Sequence, residues 1–193
     1  MKNNKIYDCI TFYDENFLTN LRFEILNKEV DHFIVCESKF DHKGKTKPLN
    51  FSLKNKKFKN KVRHLVIEEQ FPNLSNGWFA EEYQREKIFE ALNDAHEEDY
   101  IMYSDSDEIP DLNKLKEYDK NKYAVFSQKM FMYKLNLLNL RENNWHGSKI
   151  CLKKNLKSPQ WLRNLKFKKY PFWRLDTLFS KTKQTNLEIV ENG

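Results

Sequence analysis

The chain has 193 residues, 39% of them hydrophobic and 15% aromatic, enough apolar material for one domain with a real core. Its 32% charged residues point to a well-solvated surface, and only 4 Gly and 5 Pro exclude a low-complexity linker. A formal charge of +6 favours an anionic partner without choosing among a nucleotide, a nucleic acid and a membrane surface.

Residues 5–13 open the chain as a strand rich in Ile, Tyr, Thr and Phe. Asp14, Glu15 and Asn16 break it. Leu18, Leu21 and Ile25 then recur at helical spacing, which predicts an amphipathic helix over 17–28. Residues 33–36 form a second strand, followed by the polar step Glu37-Ser38. Residues 41–50, with Lys43, Lys45 and Lys47, read as a basic loop, and 55–60 as a lysine-rich surface turn. A third strand covers 62–67, a loop 73–77, the strongest helix 79–92, and a fourth strand 100–104. Strand and helix alternate through this half, the rhythm of a parallel α/β sheet. After Pro110 the rhythm changes. Residues 123–127, 130–136 and 149–152 read as strands, and 160–167 as a helix.

No boundary divides the chain, so one domain over 1–193 is expected. Cys9, Cys36 and Cys151 are odd in number and not closely spaced, which suits buried free thiols in a reducing compartment. No apolar run approaches 18 residues and no signal peptide opens the chain. A cytoplasmic protein without a transmembrane segment is therefore expected.

The stretch after the fourth strand carries the chemistry. Asp105, Asp107 and Glu108 follow an apolar run directly, and Pro110 prevents simple continuation of a helix or central strand. Residues two apart on extended chain share a side, so Asp105 and Asp107 can converge on one object. Carboxylates gathered at a strand end repel each other unless a divalent cation joins them, and their hard oxygens suit manganese or magnesium. Ligands of open α/β sheets sit just outside the carboxyl ends of strands, where these acids fall. Arg85 on the preceding helix is either an exposed partner of Glu81 or Glu82, or a substrate ligand. Trp145-His146-Gly147 stands out because the Gly lets backbone come close to a ligand. No Gly-rich phosphate loop, dinucleotide fingerprint or Ser/His/Asp arrangement is present.

Taken in order, these residues resemble glycosyltransferase family 17. Asp8-Cys9 and Phe12, then Glu15, Leu18 and Arg22, are similar to the family's opening strand and helix. Val30-Asp31, Ile34-Val35 and Glu37 resemble its second strand, and Gly44-Lys45 with Lys47-Pro48-Leu49 its basic loop. Trp78 and Gln84-Arg85 resemble the helix before the metal strand. Ser104-Asp105 with Asp107-Glu108-Ile109-Pro110 resembles the metal motif, and Trp145, Gly147 and Lys149-Ile150 a later segment. Two departures are that Asp14 stands where the family usually has Asn, and that the family continues with a Gly-Trp-His segment, so this chain looks C-terminally short.

The resemblance implies a GT-A-like, nucleotide-diphospho-sugar transferase fold with a mostly parallel central sheet flanked by helices. It implies inverting, metal-dependent transfer of N-acetylglucosamine from UDP-GlcNAc to a glycan acceptor. Asp105 and Asp107 would hold Mn2+ or Mg2+. Glu108 and Asp107 would be catalytic. Glu37, Lys47, Gln84, Arg85 and Asp105 would meet the donor. A basic nucleic-acid-binding protein, a metal-dependent phosphohydrolase or nuclease, and a degenerate sugar-nucleotide binder are the rival readings. Nucleic acid is not expected as a partner, since no Lys/Arg stripe or known motif supports it.

Overall fold

A computed structural model describes residues 4–117, 123–134, 136–141, 144–165 and 187–190. The elements are β1 (Ile6–Phe12), α1 (Asn16–Leu26), β2 (His32–Ser38), β3 (Val62–Ile67), α2 (Gly77–Lys87), β4 (Tyr100–Ser104), β5 (Tyr123–Lys129), β6 (Asn144–Leu152), α3 (Pro159–Asn164) and β7 (Leu187–Val190). The strands form one seven-stranded sheet in the order β3-β2-β1-β4-β6-β5-β7. The strands β1 to β4 run parallel to one another. β6 is antiparallel to both β4 and β5, and β7 is parallel to β5.

Both faces of the sheet are covered, so β1, β2 and β4 read as nearly continuous apolar runs. Ile10 and Phe12 of β1, Val35 of β2 and Met102 of β4 point to one face, where they pack against Phe23 and Leu26 of α1. Cys9, Cys36, Ile101 and Tyr103 point to the other, against Ile88, Leu92 and Leu162. Asn76 accepts hydrogen bonds from the amides of Trp78 (2.8 Å) and Phe79 (3.3 Å), so α2 starts at Gly77, inside the stretch read as loop. The first-turn amides of α2 are thereby partly taken by its own cap. Ser158 caps α3 in the same manner, accepting from Trp161 at 3.1 Å.

Four features differ from the sequence reading. The helix expected over 79–92 is α-helical to Lys87 and tightens to a 3-10 turn over Ile88–Leu92. The strand expected over 130–136 is a loop, of which residue 135 lies outside the described residues. Its only sheet-like feature among the described residues is an isolated bridge from Phe131 to Leu138, and Tyr133 adopts a positive φ of 64°. The apolar composition misled because Phe131, Tyr133 and Leu137 are exposed rather than packed. The third difference is that β6 begins at Asn144, which takes Trp145-His146-Gly147 into a strand. The fourth is α3, which is shorter than the helix expected over 160–167, of which 166 and 167 lie outside the described residues. All three cysteines are buried free thiols. Among the described residues no helix is long and apolar enough to cross a membrane.

Candidate active site

From β1 the chain steps to β2 and β3 on one side, and β4 joins β1 on the other. The strand order therefore reverses between β1 and β4, where open α/β sheets form a crevice at their carboxyl ends. A cavity of about 250 Å³ lies there. The end of β1 supplies Thr11 and Tyr13, α2 supplies Glu81, Gln84 and Arg85, and the chain after β4 supplies Asp105.

After Ser104 the backbone leaves the extended form. The carbonyl of Asp105 accepts the amide of Glu108 at 3.0 Å, closing a tight acidic turn. This corrects the alternation argument, since Asp105 and Asp107 do not share a strand face. Asp105 lines the β1–β4 cleft. Asp107 is exposed and lines a second, larger cavity of about 1020 Å³, bounded by Leu18 and Leu21 of α1 and by Gln128 of β5. Glu108 points inward, with both carboxylate oxygens engaged. Oε1 accepts from the Trp145 indole at 2.6 Å, and Oε2 from the Asp105 amide at 3.0 Å. Burial, then the charge of Asp105, pushes the Glu108 carboxyl above its ordinary value. Gly147 makes room for it, because a Cβ there would stand 2.3 Å from the Glu108 carboxylate. The close approach that this glycine permits is thus to Glu108.

Behind the turn lies a buried linkage that the sequence reading passed over. Arg22 of α1 and Asp8 of β1 are 0% and 1% exposed and form a two-pronged ion pair, with Nε and Nη2 each 2.6 Å from a carboxylate oxygen. The third nitrogen, Nη1, donates to the carbonyl of Glu108. Ser148 Oγ donates to the same carbonyl at 3.2 Å and bonds Ser104 at 2.7 Å. The acidic turn is therefore held by its backbone to α1 and β6, and through Arg22 to β1. The signal was present in the sequence, because an acid inside a strand that is otherwise apolar requires a buried partner.

The residues of α2 brace the cleft. Gln84 is buried and donates to the carbonyls of Phe12 (3.2 Å) and Cys36 (2.8 Å), joining the ends of β1 and β2. Arg85 is neither exposed nor singly paired. Its Nε donates to Tyr103 Oη at 3.1 Å, Nη1 to Gln160 at 3.1 Å and Nη2 to Glu81 at 2.6 Å. Glu37 and Lys47 do not line the cleft. They bond each other at 2.7 Å, and Glu37 also accepts from the amides of Asn50 (2.6 Å) and Phe51 (3.1 Å). Burial raises the Glu37 carboxyl, but these amides and Lys47 together pull it below its ordinary value. Its work is to pin the basic loop to the sheet.

The cleft presents the carboxylates of Glu15, Glu81 and Asp105, while the guanidinium of Arg85 is already shared among three partners. Among the described residues no three His, Cys, Asp or Glu side chains stand together as a metal cage. Magnesium-type cations commonly take one or two carboxylates and complete their shell with substrate phosphate and water. Asp105 fits as such a ligand.

The sequence matches the family model of glycosyltransferase family 17 over residues 1–159. The chain belongs to glycosyltransferase family 17. This family 17 chain is 32% identical over 117 residues to the beta-1,4-mannosyl-glycoprotein 4-beta-N-acetylglucosaminyltransferases of Rattus norvegicus, Homo sapiens and Mus musculus. Each alignment covers 55% of this chain and 22% of the relative's length, so the chain spans well under half of these longer proteins. The family 17 match takes in the acidic turn and the whole linkage through Asp8, Arg22 and Ser148, and ends at the first residue of α3. Arg163, on the part of α3 beyond that limit, donates to Asp105 Oδ2 at 2.7 Å. The sequence carried no sign of this contact.

Proposed function

We propose that the protein is a metal-assisted glycosyltransferase of the nucleotide-diphospho-sugar transferase (GT-A) type. It transfers N-acetylglucosamine from UDP-GlcNAc to a glycan hydroxyl, with inversion at the anomeric carbon. The observation that carries the reading is the cleft at the reversal of strand order, with Asp105 at the end of β4. Family membership supports glycosyl transfer, and the name of the relatives supports the sugar. The resemblance of the motifs supports the UDP carrier and the inverting course.

Asp105 is the carboxylate for manganese or magnesium, which when bound supplies the positive charge that a departing diphosphate requires. Glu108 is a positioning residue, since its oxygens hold the turn and are closed to an acceptor. Asp107 is exposed, has no hydrogen-bond or ion-pair partner among the described residues, and faces the second cavity. It is the carboxylate of the turn left open to a substrate, on the side of the second cavity rather than of the donor cleft. Gln84 and Arg85 keep the ends of β1, β2 and β4 fixed around the donor.

The test is a melting-temperature screen of the parent and Asp105→Asn with UDP and UDP-GlcNAc, each with and without manganese. The parent gains stability from either nucleotide only with manganese, by about 2.7 kcal/mol at one hundred times Kd. Asp105→Asn folds but gains nothing. Tight oligonucleotide binding with a steep salt dependence, and no response to UDP, refutes the reading. Binding of UDP-GlcNAc with neither transfer nor hydrolysis assigns the protein to degenerate binders instead.

A further inference from the structure

The positive charge now beside Asp105 belongs to Arg163. Its Nη2 stands 2.7 Å from Asp105 Oδ2 and 3.9 Å from Glu108 Oε1. Its Nε is buried and has no hydrogen-bond partner among the described residues. The Arg163 side chain is 23% exposed and that of Asp105, which lines the cleft, is 34% exposed, so the pair is partly open to solvent rather than sealed in the core. The Arg163 backbone is anchored separately, because Lys149 Nζ donates to its carbonyl. The side chain can therefore turn without the end of α3 moving.

A guanidinium and a divalent cation cannot share one carboxylate oxygen without strong repulsion. A cation that takes Oδ2, or both oxygens of Asp105, must displace Arg163. A displaced arginine beside a diphosphate has a ready partner, since its planar fork matches phosphate oxygens and one of its donors is already unpaired. We propose that Arg163 is an exchangeable counter-ion. It neutralises Asp105 until a divalent cation takes that carboxylate, and then turns its guanidinium to the diphosphate of the donor. The proposal rests on the function given above and adds to it a diphosphate ligand from α3.

Exchange makes two affinities move in opposite directions when Arg163 is removed. Manganese binding is counted by electron paramagnetic resonance in the absence of nucleotide, with Asp105→Asn as the baseline. UDP binding is measured by calorimetry at saturating manganese. In Arg163→Ala, manganese alone binds more tightly than in the parent, because its competitor is gone. UDP binds about tenfold more weakly or worse, because a charged hydrogen bond is lost. Arg163→Lys serves if the alanine variant melts too low. It keeps the competitor, so manganese affinity stays near the parent's, while the loss of the fork still weakens UDP. Weakening of both ligands in Arg163→Ala makes the residue a structural brace and overturns the exchange. No change in either affinity also overturns it. A parent that binds no UDP with manganese overturns instead the function on which the proposal stands.

Discussion

Replacing Arg22 with Met tests the linkage behind the acidic turn. The substitution keeps much of the side chain's volume but removes a charge that is 0% exposed and bonded to Asp8 by two contacts of 2.6 Å. Asp8, 1% exposed, is then left as an uncompensated buried charge. Breaking such a pair from one side costs about 3–5 kcal/mol, a large part of the roughly 5–15 kcal/mol that holds a domain folded. Asp8→Leu strands the opposite charge and costs a similar amount. The double variant Asp8→Leu/Arg22→Met strands neither, so it is more stable than either single variant, with a coupling of at least about 2 kcal/mol. In it the Glu108 carbonyl keeps only the donor from Ser148. UDP binding with manganese therefore falls even where stability recovers. Urea denaturation with a constant m-value supplies the free energies. The reasoning is refuted if the double variant loses the sum of the two single losses, or if Arg22→Met costs less than about 1 kcal/mol.

Gly147→Ala drives a Cβ to 2.3 Å from the Glu108 carboxylate and 2.6 Å from Trp145 Nε1. Overpacking of this kind costs about 1–3 kcal/mol, read by urea denaturation, and the strained turn also binds UDP with manganese more weakly. Arg85→Lys lowers stability by roughly 1–3 kcal/mol, since one ammonium cannot serve Tyr103, Gln160 and Glu81 in the geometry of the fork. An unchanged melting curve would contradict the three contacts. Burial, and then the charge of Arg163, pushes the Lys149 ammonium down from 10.5 to about 8. Between these values the unfolded chain holds a proton that the folded protein has released. Stability therefore rises with pH across that window, by roughly 3 kcal/mol. Lys149→Met flattens this rise in denaturation series at several pH values, and an identical slope in parent and variant counts against it.

The parallel half of the fold was legible because each element there carries its own signal. The strands β1, β2 and β4 are apolar runs bounded by polar breaks, and α1 has a helical period. The 130–136 segment carries the same composition without the burial that makes such a run a strand, and composition alone does not distinguish the two. In the site, Asp105 could be placed from its position at a strand end, whereas the partition of Asp105 and Asp107 into different cavities could not. That depends on a turn, closed by the Glu108 amide, whose aim for the two acids the residue pattern did not fix. Glu37 and Lys47 were expected at the donor through the family resemblance, because a polar step after a strand and a basic loop look alike whether they face a ligand or anchor a loop. Asp8 and Arg22 are separable from surface charge only by noticing that one of them interrupts a buried strand. Arg163 had no pattern at all, because its partner lies 58 residues earlier in the chain.

The ties made by Arg22 differ greatly in reach. Asp8 is 14 residues away along the chain, and the Glu108 carbonyl is 86. The entropy of closing a loop grows with its length, and distant strand pairings are formed late. The short tie joins β1 to the helix that directly follows it. The long one waits until Tyr100 and its neighbours in β4 have paired with β1. The grip on the acidic turn, and with it the ability to take up a ligand, therefore depends on the pairing of the central strands.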